Sequence, residues 1–155
     1  MTEAINPRGM LAMARDFFQL LPHGRLLGIV VNRADSDGVE TQLPYRKELV
    51  GDPDTGHLHG GVVTTLIDQT SGAAVLCRLG RLEAVATLDL RVDHLGRAEP
   101  GLAVVARGEC YRVTPNICFA RCTVFPEGRP ERPIATSMSS FMRTGQVPGF
   151  VEGSR

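Results

Sequence analysis

A chain of 155 residues, 43% of them apolar, has material for one domain around one core and too little for two. Its 17 basic and 17 acidic residues cancel, which argues against a nucleic-acid or membrane surface as partner. No run is apolar for long enough to span a bilayer and no basic-then-apolar leader opens the chain, so a cytoplasmic protein is expected.

Pro7 to Leu21 reads as a first helix, with Met10, Leu11, Ala14, Phe17, Phe18 and Leu21 on one face. Pro22, His23 and Gly24 end it, so residues 1–24 form an N-terminal helical segment. Leu26 to Arg33 and Val39 to Tyr45 are strand-like runs on either side of the turn Asp35-Ser36-Asp37-Gly38, which predicts a hairpin. Leu49 to Gly56, rich in Gly, Pro and Asp, reads as a loop.

His57 to Cys77 is the longest helix-compatible apolar stretch, and the rest of the chain is predicted to wrap it. Leu66, Ile67, Ala73, Ala74 and Cys77 recur at helical spacing and predict a buried face. Gly61, Thr64, Thr65, Asp68, Ser71 and Gly72 form a second stripe of small residues with one carboxylate in it. Gly72 inside a helix costs about 1 kcal/mol relative to Ala, which predicts a close backbone approach there and a partner on this stripe.

After the stop at Leu79-Gly80-Arg81, Val85 to His94 alternates. Ala86, Leu88, Leu90 and Val92 are predicted on one side, and Thr87, Asp89, Arg91 and Asp93 on the other. Leu102 to Val113, Ile117 to Phe125 and Pro133 to Met142 are three further strands, and the tail 145–155 reads as loose. Two strands, one long helix and four strands on short turns imply an α+β fold, an antiparallel β-sheet wrapped around a long central helix. Cys77, Cys110, Cys118 and Cys122 fall inside these elements without zinc-site spacing and read as small buried side chains; no metal or other cofactor is expected.

His59-Gly60-Gly61 stands where the central helix begins, and helix-start N–H groups next to glycine are reachable by a ligand oxygen. Asp68 follows Gly61 by seven residues, about 10 Å along the axis at ~1.5 Å per residue, whereas a base must come within about 3 Å of its target. Two antiparallel copies related by a two-fold axis would bring Asp68 of one to Gly61 of the other, which predicts an isologous dimer with shared sites. A helix-surface acid facing solvent is the plain alternative for Asp68, and a tight loop-to-helix junction the plain one for the glycines.

The run Gly56-His57-Leu58-His59-Gly60-Gly61, the acid nine positions after His59 and the strand Ala86 to Val92 resemble the PaaI-type hotdog-fold acyl-CoA thioesterases. The resemblance extends from about Leu26 to Met142 and implies a hotdog thioesterase-like domain over residues 25–144. It implies that Asp68 is general base or nucleophile, that Gly60 and Gly61 form an oxyanion hole with His59 nearby, and that Thr87 orients water beside the acid. It also implies a homodimer or dimer of dimers and an acyl-CoA substrate, with Thr65 and Arg91 as further binding candidates.

One departure is visible: where these enzymes usually carry Asn before the His-Gly-Gly, this chain has Asp52, which cannot donate a hydrogen bond while ionised. Arg91, Arg97, Arg112 and Arg143 are candidates for the CoA phosphates. Two other readings stand beside the first: an enoyl-CoA hydratase using Asp54 and His59, and a hotdog module that binds an acyl thioester without turnover. Medium-chain and aromatic acyl groups are both compatible with the sequence.

Overall fold

The computed structural model describes residues 6–145, so the predicted tail lies, apart from Gly145, outside the described residues. Helix α1 (Pro7–Leu20) starts on Asn6, whose side chain accepts from the Gly9 N–H at 2.9 Å. Met10, Met13, Ala14 and Phe18 are buried in the main core. Pro22 does more than end this helix. Its fixed φ suits a first helical position, and a second helix, α2 (Pro22–Leu27), closes on left-handed Gly28. Leu26 and Leu27, expected in a strand, are therefore helical, and β1 (Val30–Asp35) begins later.

The hairpin to β2 (Gly38–Leu43) is held by Asp35, whose carboxylate accepts from the N–H groups of Asp37 and Gly38. Within and beside the predicted loop Leu49 to Gly56 lie a 3-10 turn, Lys47–Leu49, and a small ribbon of β3 (Val50–Asp52) and β4 (His57–Leu58), so His57 and Leu58 of the helix-compatible stretch are strand. Next come α3 (Gly60–Leu79), β5 (Val85–His94), β6 (Val104–Val113), β7 (Ile117–Pro126) and β8 (Ala135–Arg143). The six long strands form one antiparallel sheet in the order β1-β2-β6-β7-β8-β5, and α3 lies on one face against β2, β6 and β7: the hotdog fold.

The predicted apolar face of α3 is buried along its length, from Leu66 and Ile67 to Cys77. Each large aliphatic side chain so buried stabilises the fold by roughly 1.5–3 kcal/mol. The close backbone approach expected at Gly72 lies elsewhere. Gly72 sits between the rings of Phe141 and Phe17 of its own chain, each 3.8 Å from where a Cβ would be. At Gly108 on β6, by contrast, a Cβ would come 3.1 Å from the Thr70 carbonyl oxygen of α3. Beside that contact the Thr70 hydroxyl donates to the Leu66 carbonyl and accepts from the buried Thr41 hydroxyl, both at 2.6 Å. The close backbone approach of helix to sheet thus lies at Gly108, within one protomer.

The strict alternation expected in β5 breaks at Leu88. Thr87 pairs with Phe141 of β8 and Asp89 with Ser140, leaving Leu88 as a β-bulge. Residues directly across a pair share a face, so Thr87, opposite buried Phe141, points to the helix side together with Leu90 and Val92. Ala86 and Leu88, expected on the same side as Leu90 and Val92, are exposed. Among the described residues no helix is long and apolar enough to cross a membrane.

Candidate active site

Two clusters of polar groups flank the ends of β5. The first surrounds the start of α3. His59 is its N-cap, and the His59 Nδ1 accepts from the Gly61 N–H at 2.9 Å. A ring nitrogen that accepts carries no proton, so neutral His59 holds its hydrogen on Nε2 and presents it as a donor. β3 packs against His59: a Cβ on Gly51 would lie 2.8 Å from His59 Cα, a separation no side chain tolerates, and 3.2 Å from the ring Cδ2. The Gly61 amide expected to grip a ligand oxygen is thereby withdrawn onto its own cap. The Gly60 N–H, first of the helix, has no intrahelical acceptor.

A cavity of about 330 Å³ opens here, walled by Asp52, His57, His59, Gly60, His94 and Arg97 among others. Asp52 enters it as an ionised acceptor. The Thr55 hydroxyl donates to its Oδ2 at 2.7 Å and the Asp54 N–H to its Oδ1 at 3.1 Å, and these bonds, the Thr55 one foremost, hold its carboxyl below the usual carboxylate range. Because the one Thr55 hydrogen goes to Asp52, Thr55 accepts from the Nδ1–H of His57 at 2.6 Å. An Asp-Thr-His chain therefore sets the tautomer of His57. The side chain of Asp54, the acid of the hydratase reading, is absent from the cavity lining.

The second cluster lies two turns along α3. Asp68 is half-buried, and its Oδ1 accepts from the Thr87 hydroxyl at 2.9 Å. Thr65, expected to bind substrate, donates instead to the Gly61 carbonyl at 3.0 Å, as Thr64 does to Gly60 at 3.1 Å. Gly60 and Asp68 stand eight residues apart on one helix, about 12 Å along the axis.

Of the arginines, Arg97 lines the cavity. Arg91 points to the outer face of the sheet, pairs with Asp93 at 3.1 Å and is not part of that lining. Arg143 is taken up by Glu83, to which it donates at 2.8 and 3.0 Å. All four cysteines are buried, and burial pushes the thiols up, Cys77 and Cys110 to about 11 and Cys122 to about 12. Nothing local in the sequence marks His94, the last residue of a predicted strand, yet it lines the cavity.

The thioesterase superfamily model matches residues 55–132, a span that holds the helix start, Asp68, the whole of β5 and the two strands after it. The chain belongs to the thioesterase superfamily. A Pseudomonas aeruginosa protein of known crystal structure is 42% identical, with a TM-score of 0.79 over 86% of this chain and 98% of that one. A Shewanella oneidensis protein described as related to the thioesterase superfamily is 28% identical, with a TM-score of 0.77 over 86% of this chain and 95% of that one. The medium/long-chain acyl-CoA thioesterase YigI of Escherichia coli is 28% identical over 117 residues, which cover 67% of this chain and 70% of that protein.

Proposed function

We propose that this member of the thioesterase superfamily hydrolyses an acyl-CoA to the free acid and CoA, at sites completed by two protomers. The observation that carries the reading is the separation of the two clusters. Carbonyl-binding donors sit at the start of α3, the acid sits about 12 Å further on, and neither serves the other within one protomer. β5 offers the means of joining them: a ten-residue strand at the edge of the sheet, with one side of its backbone unpaired. Antiparallel pairing of two such edges about a two-fold axis sets Thr87 and Asp68 of one protomer beside the helix start of the other.

In this arrangement the Asp68 carboxylate takes a proton from water as the water oxygen bonds to the thioester carbon. Thr87 holds one carboxylate oxygen, so the other faces the water. The carbonyl electrons move to oxygen, which is stabilised by the Nε2–H of His59, the Gly60 N–H and the positive end of α3. Collapse of this intermediate breaks the C–S bond, and the departing CoA sulfur takes the proton back from Asp68. Asp52, an acceptor here, can hold a water but cannot donate to the carbonyl. The sequence likeness to YigI supports the acyl-CoA substrate.

The test is a thiol-release assay across acyl-CoA chain lengths, with phenylacetyl-CoA and a crotonyl-CoA hydration assay beside it. Turnover of at least one acyl-CoA, abolished in Asp68→Ala while the protein still sediments as a dimer, is expected. Hydrolysis unchanged in that variant, or full activity in a monomer, would overturn the proposal.

A further inference from the structure

Resting on the thioesterase reading, we infer that His94 is a further catalytic residue, a side-chain donor to the thioester carbonyl in place of the amide that His59 withdraws. The Gly61 N–H is turned onto His59 Nδ1 at 2.9 Å, so the start of α3 offers one backbone donor fewer than its glycine pair suggests. Beside the Gly60 N–H and the His59 Nε2–H that remain, a further fixed donor aimed at the developing charge strengthens the hold on the oxyanion.

His94 stands where that donor is needed. It closes β5 and pairs with buried Ala135, so its ring lies on the helix side of the sheet, the same side as Thr87. The Cβ position of Gly60 is 3.7 Å from His94 Cε1 and 3.9 Å from Nε2, which packs the imidazole over the Gly60 backbone. It lines the same cavity as His59 and Asp52. The His94 tautomer that carries its proton on Nε2 offers a donor beside the first turn of α3, where the carbonyl oxygen would sit. An antiparallel partner strand brings the second protomer's Thr87 and Asp68 to this end of β5, so the attacked carbon lies between the acid and the imidazole.

The experiment compares His94→Gln, which keeps an N–H donor, with His94→Phe, which keeps a planar ring and loses it. Octanoyl-CoA hydrolysis is measured on variants that sediment like the wild type. A kcat lowered by at least about tenfold in His94→Phe with little change in KM, and largely restored in His94→Gln, is expected. The second measurement is calorimetric binding of two unreactive ligands: a ketone in which CH₂ replaces the thioester sulfur of octanoyl-CoA, and S-octyl-CoA, which has no carbonyl. His94→Phe should lower the preference for the ketone about tenfold and leave S-octyl-CoA binding as it was.

Wild-type kcat in His94→Phe, equal impairment of both variants, or equal weakening of both ligands would overturn the inference. The two proposals fail separately. No thiol release by the wild type with the ketone preference intact removes the hydrolase and leaves His94 at the carbonyl. Hydrolysis lost in Asp68→Ala but untouched in His94→Phe leaves the hydrolase and removes His94.

Discussion

The hydroxyl of Thr87 donates to Asp68 Oδ1 at 2.9 Å, joining the edge strand to the central helix across 19 residues of sequence. The bond exists because the bulge at Leu88 turns Thr87 toward the helix; unbroken alternation back from inward-facing Leu90 would turn it away. The contact orients the acid, so Thr87→Val should lower kcat about tenfold and Thr87→Ser should restore most of it. Asp68→Asn should lower kcat by at least about a hundredfold. Thiol release under saturating substrate checks both, and an unimpaired Thr87→Val removes the orienting role.

The proposed sharing of sites between protomers predicts complementation between dead variants. Asp68→Asn and His59→Ala, each inactive alone, form a mixed dimer in which one of the two sites draws only native residues. Random reassortment should restore about a quarter of wild-type activity, since half the dimers are mixed and each has one good site. Mixtures no more active than their parts would show that Asp68 and His59 act within one protomer.

Gly51 sets the position of His59. A Cβ there would meet the His59 Cα, a backbone atom, at 2.8 Å, so Gly51→Ala must push β3 away from the helix start. The expected result is a kcat/KM reduced at least about tenfold in a dimer that remains folded, because an ångström of misplacement at a carbonyl site is costly. Comparison of circular dichroism and kinetics for this variant checks the expectation.

Glu83 ties the start of β5 to the end of β8. Arg143 and Arg81 both donate to it, and the Arg143 hydrogen bond in the first place holds its carboxyl down to about 2 from the usual 4.5. A depressed carboxylate stabilises the fold fully above its unfolded value and loses that contribution as pH falls toward the folded one. Stability should therefore decline between about pH 4.5 and 2 with a component absent from Glu83→Gln. At neutral pH, Glu83→Ala leaves the Arg143 guanidinium, only 16% exposed, without its partner and should cost on the order of 3 kcal/mol in denaturant titration.

Much of the architecture was legible in the chain because helices and strands announce themselves by local repeats of about 3.6 and 2 residues. The buried face of α3, the six sheet strands, the four buried cysteines and the acid on an otherwise apolar helix all follow from such patterns. So does the spacing that keeps Asp68 away from its helix start, since rise per residue is a local property. What the tertiary structure decided involves residues far apart in sequence. The pairing of β5 with β8 creates the bulge that aims Thr87, the ring of His59 claims the Gly61 amide, and Gly108 rather than Gly72 meets a neighbouring backbone. His94 reaches Gly60 only because the sheet folds its edge strand back over the helix it follows. Periodicity counts steps along one element; register and hydrogen-bond partners depend on where a second element comes to rest.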